Sequence, residues 1–257
     1  DTTIHGGRGD IGIHNGQIAI SDLSVETPNA SLNVAALDLD MRQDPPSYHL
    51  EAGGAFDLNA FVEAEGPGGF GPAAVSLVLD GTGPDPDGAT GGGSLRMEAG
   101  TVPAFPAVAK IEKLLGKSLI SGTPYQVTDM DFSLANGIAT LEPFRLVLEN
   151  LQIGGWGTIN LDGPVNLVVE VRLPREQVDI KALEGLIDGM TDEEGWTIVP
   201  FTVGGNIGEP DVSIDMTAAK EAAKGAAKDA AGKAVDKAVD KVEDKVKGLF
   251  KKDKDDG

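Results

Sequence analysis

The sequence predicts a mainly β protein of extended shape, made of many short strands joined by turns. Apolar and polar residues alternate with the two-residue period of half-buried strands, as in Leu167, Val169 and Val171. The 257 residues include 35 Gly and 15 Pro, and only 5% are aromatic. This composition suits strands and turns better than a compact α/β enzyme.

Strands are predicted through most of the N-terminal third. Alternating apolar residues lie at Ile18 and Ile20; Ala30, Leu32 and Val34; Leu37, Leu39 and Met41; Phe56 and Leu58; and Val75, Leu77 and Leu79. Between the last two groups, residues 58–65 favour a helix, which the Gly- and Pro-rich residues 66–69 would end. The Gly-rich stretch from Asp80 to Gly93 predicts a flexible loop and marks the best internal boundary.

Residues 94–173 predict a strand, a short helix and several further strands. The first strand spans Ser94 to Met97, and the helix runs from Val108 to Leu115, with Gly116 as its C-cap. Three later strands are indicated by alternating apolar residues: Met130, Phe132 and Leu134; Phe144, Leu146 and Leu148; and Val165, Leu167, Val169, Val171 and Leu173.

An Asn-Gly turn occurs twice, 121 residues apart, at residues 15–16 and 136–137. The residues after the two turns match in the same register, so that Leu23 corresponds to Phe144 and Leu32 to Ile153. A repeated turn-and-strand unit is expected of a sheet built by adding strands. Chance similarity between strand sequences is the alternative.

The formal charge of −20 is unevenly distributed along the chain. From Thr217 onward 11 Lys oppose 9 acidic residues, which gives +2, whereas the remaining 216 residues carry 10 basic and 32 acidic groups, or −22. A body this acidic repels nucleic-acid phosphates, so we expect no nucleic-acid partner. A simply solubilising surface explains the acidic charge equally well.

The sequence of the tail, residues 217–257, predicts an amphipathic helix that extends to Phe250, with Thr217 as its N-cap. One stripe of its second half is apolar: Val235, Val239, Val242, Val246, Leu249 and Phe250. Three interpretations stay open. The helix lies on a membrane surface, it caps the sheet or pairs with a partner helix, or it is solvated.

Signals for catalysis or metal binding are weak. The three histidines, His5, His14 and His49, lack the spacing of a zinc site, and Cys is absent. Residues 85–88 resemble the start of a calcium loop, but Arg96 lies where the bidentate Glu belongs. The acidic residues on the strands suggest no unique catalytic pair. We therefore predict no enzyme activity, no metal and no cofactor.

Five segments occur in a particular order between Thr90 and Met216. They are Gly93–Gly100, the helix introduced by Pro103 and Pro106, Asp129–Gly137, Gly154–Gly163 and Pro200–Val212. In this order they resemble the C-terminal region of the AsmA-like family of bacterial envelope proteins. The resemblance implies a long, curved antiparallel sheet that forms an open apolar groove, in a periplasmic protein whose parent is anchored in the inner membrane.

The resemblance also implies a function: non-catalytic lipid binding or lipid conduction in intermembrane phospholipid transport and outer-membrane biogenesis. Residues 1–216 are the predicted sheet body, of which about 90–216 is AsmA-like. Candidates to contact phospholipid acyl chains are Phe132, Leu134, Leu146, Leu148, Leu167, Val169 and Val171. The same residues could form an ordinary core, and the sequence leaves this open.

The tail has two possible partners under this interpretation, a membrane surface or another envelope protein. The alternative function is therefore structural: a periplasmic scaffold whose helical tail binds an envelope protein. The chain begins at Asp1 without Met, and no stretch reaches the roughly 18 apolar residues of a spanning helix. We thus expect a portion of a longer protein.

Overall fold

The computed structural model describes residues 6–60 and 68–224 of the chain. Its main element is one antiparallel sheet of twelve strands that does not close on itself, so the predicted mainly β class is confirmed. The strands are β1 (Gly6–His14), β2 (Gln17–Thr27), β3 (Ala30–Asp40), β4 (Ser47–Phe56), β5 (Ala73–Thr82), β6 (Ala89–Met97), β9 (Thr128–Ala135), β10 (Ile138–Val147), β11 (Gln152–Asn160), β12 (Val165–Pro174), β13 (Trp196–Asn206) and β14 (Glu209–Ile214).

The twelve strands form a meander in which each strand pairs with the next one in the sheet. One excursion leaves the sheet between β6 and β9, which pair directly with each other. Residues 98–127 form this excursion, and they contain β7 (Gly100–Thr101), β8 (Pro124–Tyr125) and the helix α1 (Pro106–Leu115). Antiparallel neighbours joined by turns need no crossover connection.

The helix predicted from Val108 to Leu115 is confirmed as α1, and it begins two residues earlier at Pro106. Proline suits the first turn because its missing N–H needs no partner there. Gly116 has a φ of 71°, and its N–H donates to carbonyls of the last turn, so it is the predicted C-cap. The face that includes Val108, Ile111 and Leu115 is buried.

The flexible loop predicted from Asp80 to Gly93 is wrong. Most of this stretch is strand, because β5 extends to Thr82, β6 begins at Ala89, and the two strands pair along their length. Glycine fits in β6 because backbone carbonyl oxygens and side chains of the neighbouring strands leave no room for a Cβ. A Cβ on Gly93, for example, would lie 2.8 Å from the ring of Phe132. The sheet is therefore continuous through these residues.

A second helix, α2, comprises residues 216–224, where the described part of the chain ends. Its N-cap is Asp215, whose Oδ1 accepts hydrogen bonds from the N–H groups of Thr217 and Ala218, both at 2.9 Å. The prediction of Thr217 as the N-cap is therefore wrong, because the preceding carboxylate already satisfies two N–H groups of the first turn. Ala219 is fully buried, which fixes the start of α2 to the body.

The two Asn-Gly turns have the same backbone conformation. The φ angle is 46° at Asn15 and 53° at Asn136, and the Gly after each also has a positive φ, as two-residue hairpin turns require. Pairing is irregular near Asp22 and near Pro143, but between β1 and β2 in the first case and between β10 and β11 in the second. The turns therefore agree, whereas the irregular strand pairs do not correspond.

The packed core lies against one end of the later strands. Its largest fully buried side chains include Leu115, Ile120, Leu173, Leu183 and Phe201. They come from α1, from the excursion, from the sheet and from the segment between β12 and β13. That segment contains three short 3-10 helices, Arg175–Gln177, Lys181–Leu183 and Ile187–Met190. The core thus joins the sheet to elements on one of its faces.

Candidate functional site: the apolar face of the sheet

One face of the twelve-stranded sheet is apolar, because directly paired residues of neighbouring strands lie on the same face. One row crosses ten strands: Ile11, Ile20, Leu37, Leu50, Leu79, Gly91, Leu134, Ala139, Ile159 and Val165. A second row crosses eight: Leu77, Gly93, Phe132, Leu141, Gly157, Leu167, Val203 and Val212. We call this side the apolar face.

The opposite side, the polar face, carries mostly charged and hydroxyl side chains. A representative row consists of Asp38, His49, Asp80 and Thr90. The alternation along each strand therefore separates the two chemistries across the whole sheet. Because the polar face is solvated, the acidic charge of the body is carried largely on that side.

Part of the apolar face is covered by other elements and forms the core. Over β12 and β13, Val171, Leu173, Val199 and Phe201 are fully buried. They belong to one cluster with side chains of α1, α2 and the 3-10 helices. Burial of this kind stabilises the fold by about 25 cal/mol per Å² of apolar area, so this end of the face is structural.

The apolar face of β1–β5 is partly exposed. Among the described helices and strands, β1–β5 pack chiefly against their neighbouring strands. Their half-buried side chains include Ile18, Ile20, Leu37, Leu39, Leu50, Leu77 and Leu79. At the sheet edge Ile11 and Ile13 are 69% and 75% exposed. A continuous apolar surface of this extent typically marks an interaction site in a soluble protein.

The residues predicted to contact lipid fall into two groups. Three of them lie on the partly exposed region of the apolar face: Phe132, Leu134 and Leu167. The other four belong to the core or pack against it: Leu146, Leu148, Val169 and Val171. Leu148 and Val171 are buried and contribute to folding, whereas Leu146 and Val169 are half-buried, as Phe132, Leu134 and Leu167 are.

The sequence reasoning did not nominate the apolar residues of β2–β5 as part of a site. Leu50, Leu77 and Leu79 have the same two-residue alternation as Phe132 and Leu134. What places them beside those residues is the pairing of β5 with β6 and of β6 with β9. The alternation was the available signal, but it does not reveal which strands are neighbours.

Two phenylalanine rings lie across glycines of the adjacent strand. Phe132 is opposite Gly93, and Phe144 is opposite Gly155. A Cβ on either glycine would lie 2.8 Å from the ring of its partner. Cross-strand aromatic rings commonly fill the space that glycine leaves in a sheet. The rings therefore cover the backbone and keep the apolar face continuous over the Gly-rich strands.

Two depressions lie near the ends of the first strands, the smaller one on the apolar face and the larger one beside the polar-face row Asp38, His49, Asp80 and Thr90. One, of about 350 Å³, is lined mainly by apolar side chains that include Leu32, Phe56, Leu58 and Val75. The larger one, of about 980 Å³, lies at the opposite ends of β1–β6. Its lining combines apolar residues such as Leu39 with polar ones such as Asp38, His49 and Asp80. Because Asp38, His49 and Asp80 belong to the polar face, this depression is separate from the apolar face.

The charged groups near this larger depression are paired with each other. His49 lies 2.7 Å from Asp80 and 3.3 Å from Glu51, and these carboxylates raise the pKa of its imidazole. Hydrogen bonds from Arg42 hold the pKa of the Asp40 carboxyl well below its usual range. Within residues 6–60 and 68–224, no group of three or more His, Asp or Glu side chains is arranged to hold a metal.

The predicted tail residues lie outside the described part of the chain: Val235, Val239, Val242, Val246, Leu249 and Phe250. The first turns of the tail belong to α2, where Ala223 packs next to Gly189. Among the helices of the described residues, none has the length and apolar character needed to cross a membrane.

Comparison with known proteins gives no match: no family model, no curated protein and no solved structure is similar to this chain. The functional argument therefore rests on the sheet itself.

Proposed function

We propose that the chain is a non-catalytic lipid-binding or lipid-conducting segment of an AsmA-like envelope protein, which acts in intermembrane phospholipid transport and outer-membrane biogenesis. The observation that carries this proposal is the partly exposed apolar face, which continues across neighbouring strands. The proposal of the AsmA-like family is based on the order of the five sequence segments between Thr90 and Met216.

The mechanism is burial of acyl chains against this face. The twelve strands curve into an open groove, in which acyl chains contact Phe132, Leu134 and Leu167 together with the apolar residues of β2–β5. Each Å² of apolar area removed from water stabilises the bound lipid by about 25 cal/mol. The headgroup remains at the groove mouth, because burying a charged group without a partner is costly.

The groove closes toward β14 and stays open toward β1. Helix α1 packs on β14, and Lys110 donates a hydrogen bond to the carbonyl of Pro210. Phe201 and Val203 are buried beneath the covering elements. Lipid therefore occupies the region before β13. The protein acts in the periplasm, and its parent is anchored in the inner membrane.

A structural scaffold is the second candidate, and one observation favours it. The start of the tail is fixed to the body through Ala219, which is fully buried. A firmly attached helix is suited to hold an envelope protein or a membrane surface at a set position. In this case the long amphipathic helix, rather than the apolar face, makes the functional contact.

Native mass spectrometry of gently purified protein tests the proposed function. We expect phospholipid to remain bound to the wild-type chain and to a chain truncated after Lys224, because the lipid site lies in the sheet. Truncation at this point leaves Ala219 in the core. Leu134→Asp should lose the lipid, because it places a charge among acyl chains.

Ser133→Asp is the matched control, since Ser133 is the neighbouring residue on the polar face, and this variant should retain lipid. Circular dichroism must show the wild-type spectrum for both variants. If purified wild-type protein carries no phospholipid and takes up none when it is supplied, the lipid function is wrong. If the full chain binds lipid and the truncated chain does not, the lipid-binding site lies in the tail.

A further inference from the structure

A depression on the polar face lies over β10–β13, on the side of the sheet opposite the proposed lipid site. Its volume is about 240 Å³, and Arg145, Gly154, Trp156, Glu170 and Arg172 are among the residues that line it. The proposed function makes no use of this depression. Its charges nevertheless have a regular arrangement.

Two opposite charges face each other across the floor of the depression. Arg145 is opposite Gly154, and Gly154 is opposite Glu170. Because Gly154 has no side chain, a gap of two strand spacings, about 10 Å between Cα atoms, separates the two charged residues. Neither side chain makes an ion pair or hydrogen bond with any residue in 6–60 or 68–224. Both charges are therefore available to a bound molecule.

Arg172 lies beside this gap, and its side chain is held in place by two neighbours. Its Nη2 donates to Asp192 at 2.6 Å, and its guanidinium carbon lies 5.5 Å from the ring centre of Trp196. Its Nε is buried and has no hydrogen-bond partner within the described residues. The Nε itself is closed off from solvent, but the side chain as a whole is 29% exposed and lines the depression, where its positive charge attracts an anion.

Trp156 supplies an aromatic surface on the other side. Its side chain is 37% exposed, and it lies opposite Val168, two residues from Glu170 on the same face. An aromatic ring beside a carboxylate attracts an ammonium group through both charge and the ring quadrupole. The depression thus offers donors for an anion at one end and a cation site at the other.

We propose that this depression binds a small zwitterion. Its anionic phosphate or carboxylate contacts Arg145 and the exposed part of the Arg172 side chain, and its ammonium group lies between Glu170 and Trp156. Glycerophosphoethanolamine has this chemistry. The same group occurs free in solution and as the headgroup of phosphatidylethanolamine in a membrane.

Titration of the full chain with glycerophosphoethanolamine, followed by NMR, tests the site. The two Trp residues give separate indole N–H signals, and the Trp156 signal should shift with a dissociation constant on the order of 1 mM. Arg145→Gln and Glu170→Gln should each weaken binding about tenfold, because each removes one of the two charge contacts. Arg96→Gln is the control, since Arg96 lies elsewhere on the polar face and pairs with Asp129.

Gly154→Val provides a second variant that fills the floor without strain. A Cβ at this position meets only the carbonyl oxygen of Phe144, at 3.6 Å, so we expect the fold to be retained and binding to be lost. The proposal is wrong if the Trp156 signal does not respond to the wild-type titration. It is equally wrong if Gly154→Val binds as well as the wild type.

Vesicles of phosphatidylethanolamine and phosphatidylcholine distinguish the two sources of the ligand. Vesicle binding that is weakened by Gly154→Val identifies a membrane headgroup, since this variant leaves the tail unchanged. If glycerophosphoethanolamine binds but Gly154→Val does not weaken vesicle binding, the ligand is a free zwitterion. The acyl-chain site is on the opposite face and is tested separately by Leu134→Asp. Neither vesicle outcome therefore depends on it.

Discussion

At the scale of single residues, Glu112 shows how a buried charge organises the chain around α1. Its Oε1 accepts hydrogen bonds from the N–H groups of Ile120 and Ser121 at 2.7 and 2.9 Å, and its Oε2 accepts from the hydroxyls of Ser118 and Ser121. Burial alone would raise the pKa of the carboxyl, but these hydrogen bonds outweigh it and lower the pKa. Glu112 thus ties the chain after α1 back to the helix.

Replacement of this carboxylate should destabilise the protein. We expect Glu112→Gln to lower the free energy of unfolding in urea by about 1–3 kcal/mol, because buried donors lose their charged acceptor. The wild-type pKa is lower in the folded state, so its stabilisation is present above the ordinary Glu pKa and is lost as the pH falls through the folded value. The difference between variant and wild type should therefore shrink in acid.

Lys113→Gln is the control for Glu112→Gln, because Lys113 is the next residue of α1 and is exposed. Its unfolding free energy should stay close to that of the wild type. Equal stability of Glu112→Gln and wild type at neutral pH would contradict the role assigned to the carboxylate.

His49 gives a second residue-scale prediction, on the polar face. The neighbouring Asp80 and Glu51 raise its pKa, so its protonated form stabilises the fold below the ordinary His pKa, and this contribution is lost as the pH rises through the folded value. Asp80→Asn should lower the pKa of His49 in an NMR titration. Asp131→Asn, on the same face but away from His49, should leave it unchanged, and an equal effect of both variants would contradict the local cause.

At the scale of elements, the glycine–phenylalanine pairs explain why Gly-rich segments form strands here. Phe144 covers Gly155 from the neighbouring strand, while Gly154, one residue earlier, lies on the opposite face with open space above it. Glycine is intrinsically unfavourable in a strand interior because it loses more backbone entropy than other residues. In β11 this cost is offset on the apolar face by the ring of Phe144.

This pairing can be tested with two adjacent glycines of β11. Gly155→Ala should destabilise the protein by about 1–3 kcal/mol in thermal or urea unfolding, because the new methyl group would lie within 2.9 Å of the Phe144 ring. Gly154→Ala is the matched control and should be neutral or slightly stabilising, since its nearest atom is 3.6 Å away. Equal destabilisation by both variants would show that flexibility of β11, rather than the ring, is responsible.

At the scale of the whole molecule, the sheet is stabilised unevenly along its length. Strands β12 and β13 are covered by helices and carry fully buried residues such as Val171 and Phe201. In the sheet formed by the described residues, strand β1 is at one edge beside β2, and it exposes Ile11 and Ile13. An edge with unpaired backbone groups and little burial opens more readily than a covered central strand.

Hydrogen exchange measured by mass spectrometry should reveal this gradient. Amides of β12 and β13 should be the slowest to exchange, and those of β1 and β2 the fastest of the twelve strands. Under the proposed lipid function, addition of phospholipid should slow exchange in β2–β5 more than in β13, because the apolar face is exposed over β2–β5 and covered over β13. Uniform protection across all twelve strands would contradict this description of the sheet.

Local patterns in the sequence were sufficient to predict much of the fold. The alternation around Phe132 and Leu167 predicted strands, and the prolines and Gly116 predicted the position of α1. The stretch from Asp80 to Gly93 was misjudged as a loop, because glycine content alone does not show that Phe132 covers Gly93 from another strand. Thr217 was misjudged as the N-cap because Asp215 competes for the same N–H groups.

The sequence by itself determined the β class, the two-sided character of each strand and the separation of a basic tail from an acidic body. Alternation and charge are local properties of the chain, so they can be read without its partners. Only the tertiary structure decided which strands are neighbours, which apolar residues α1 and α2 cover, and which remain exposed. Those outcomes depend on contacts between residues far apart in the chain, such as β6 with β9, which no local pattern specifies.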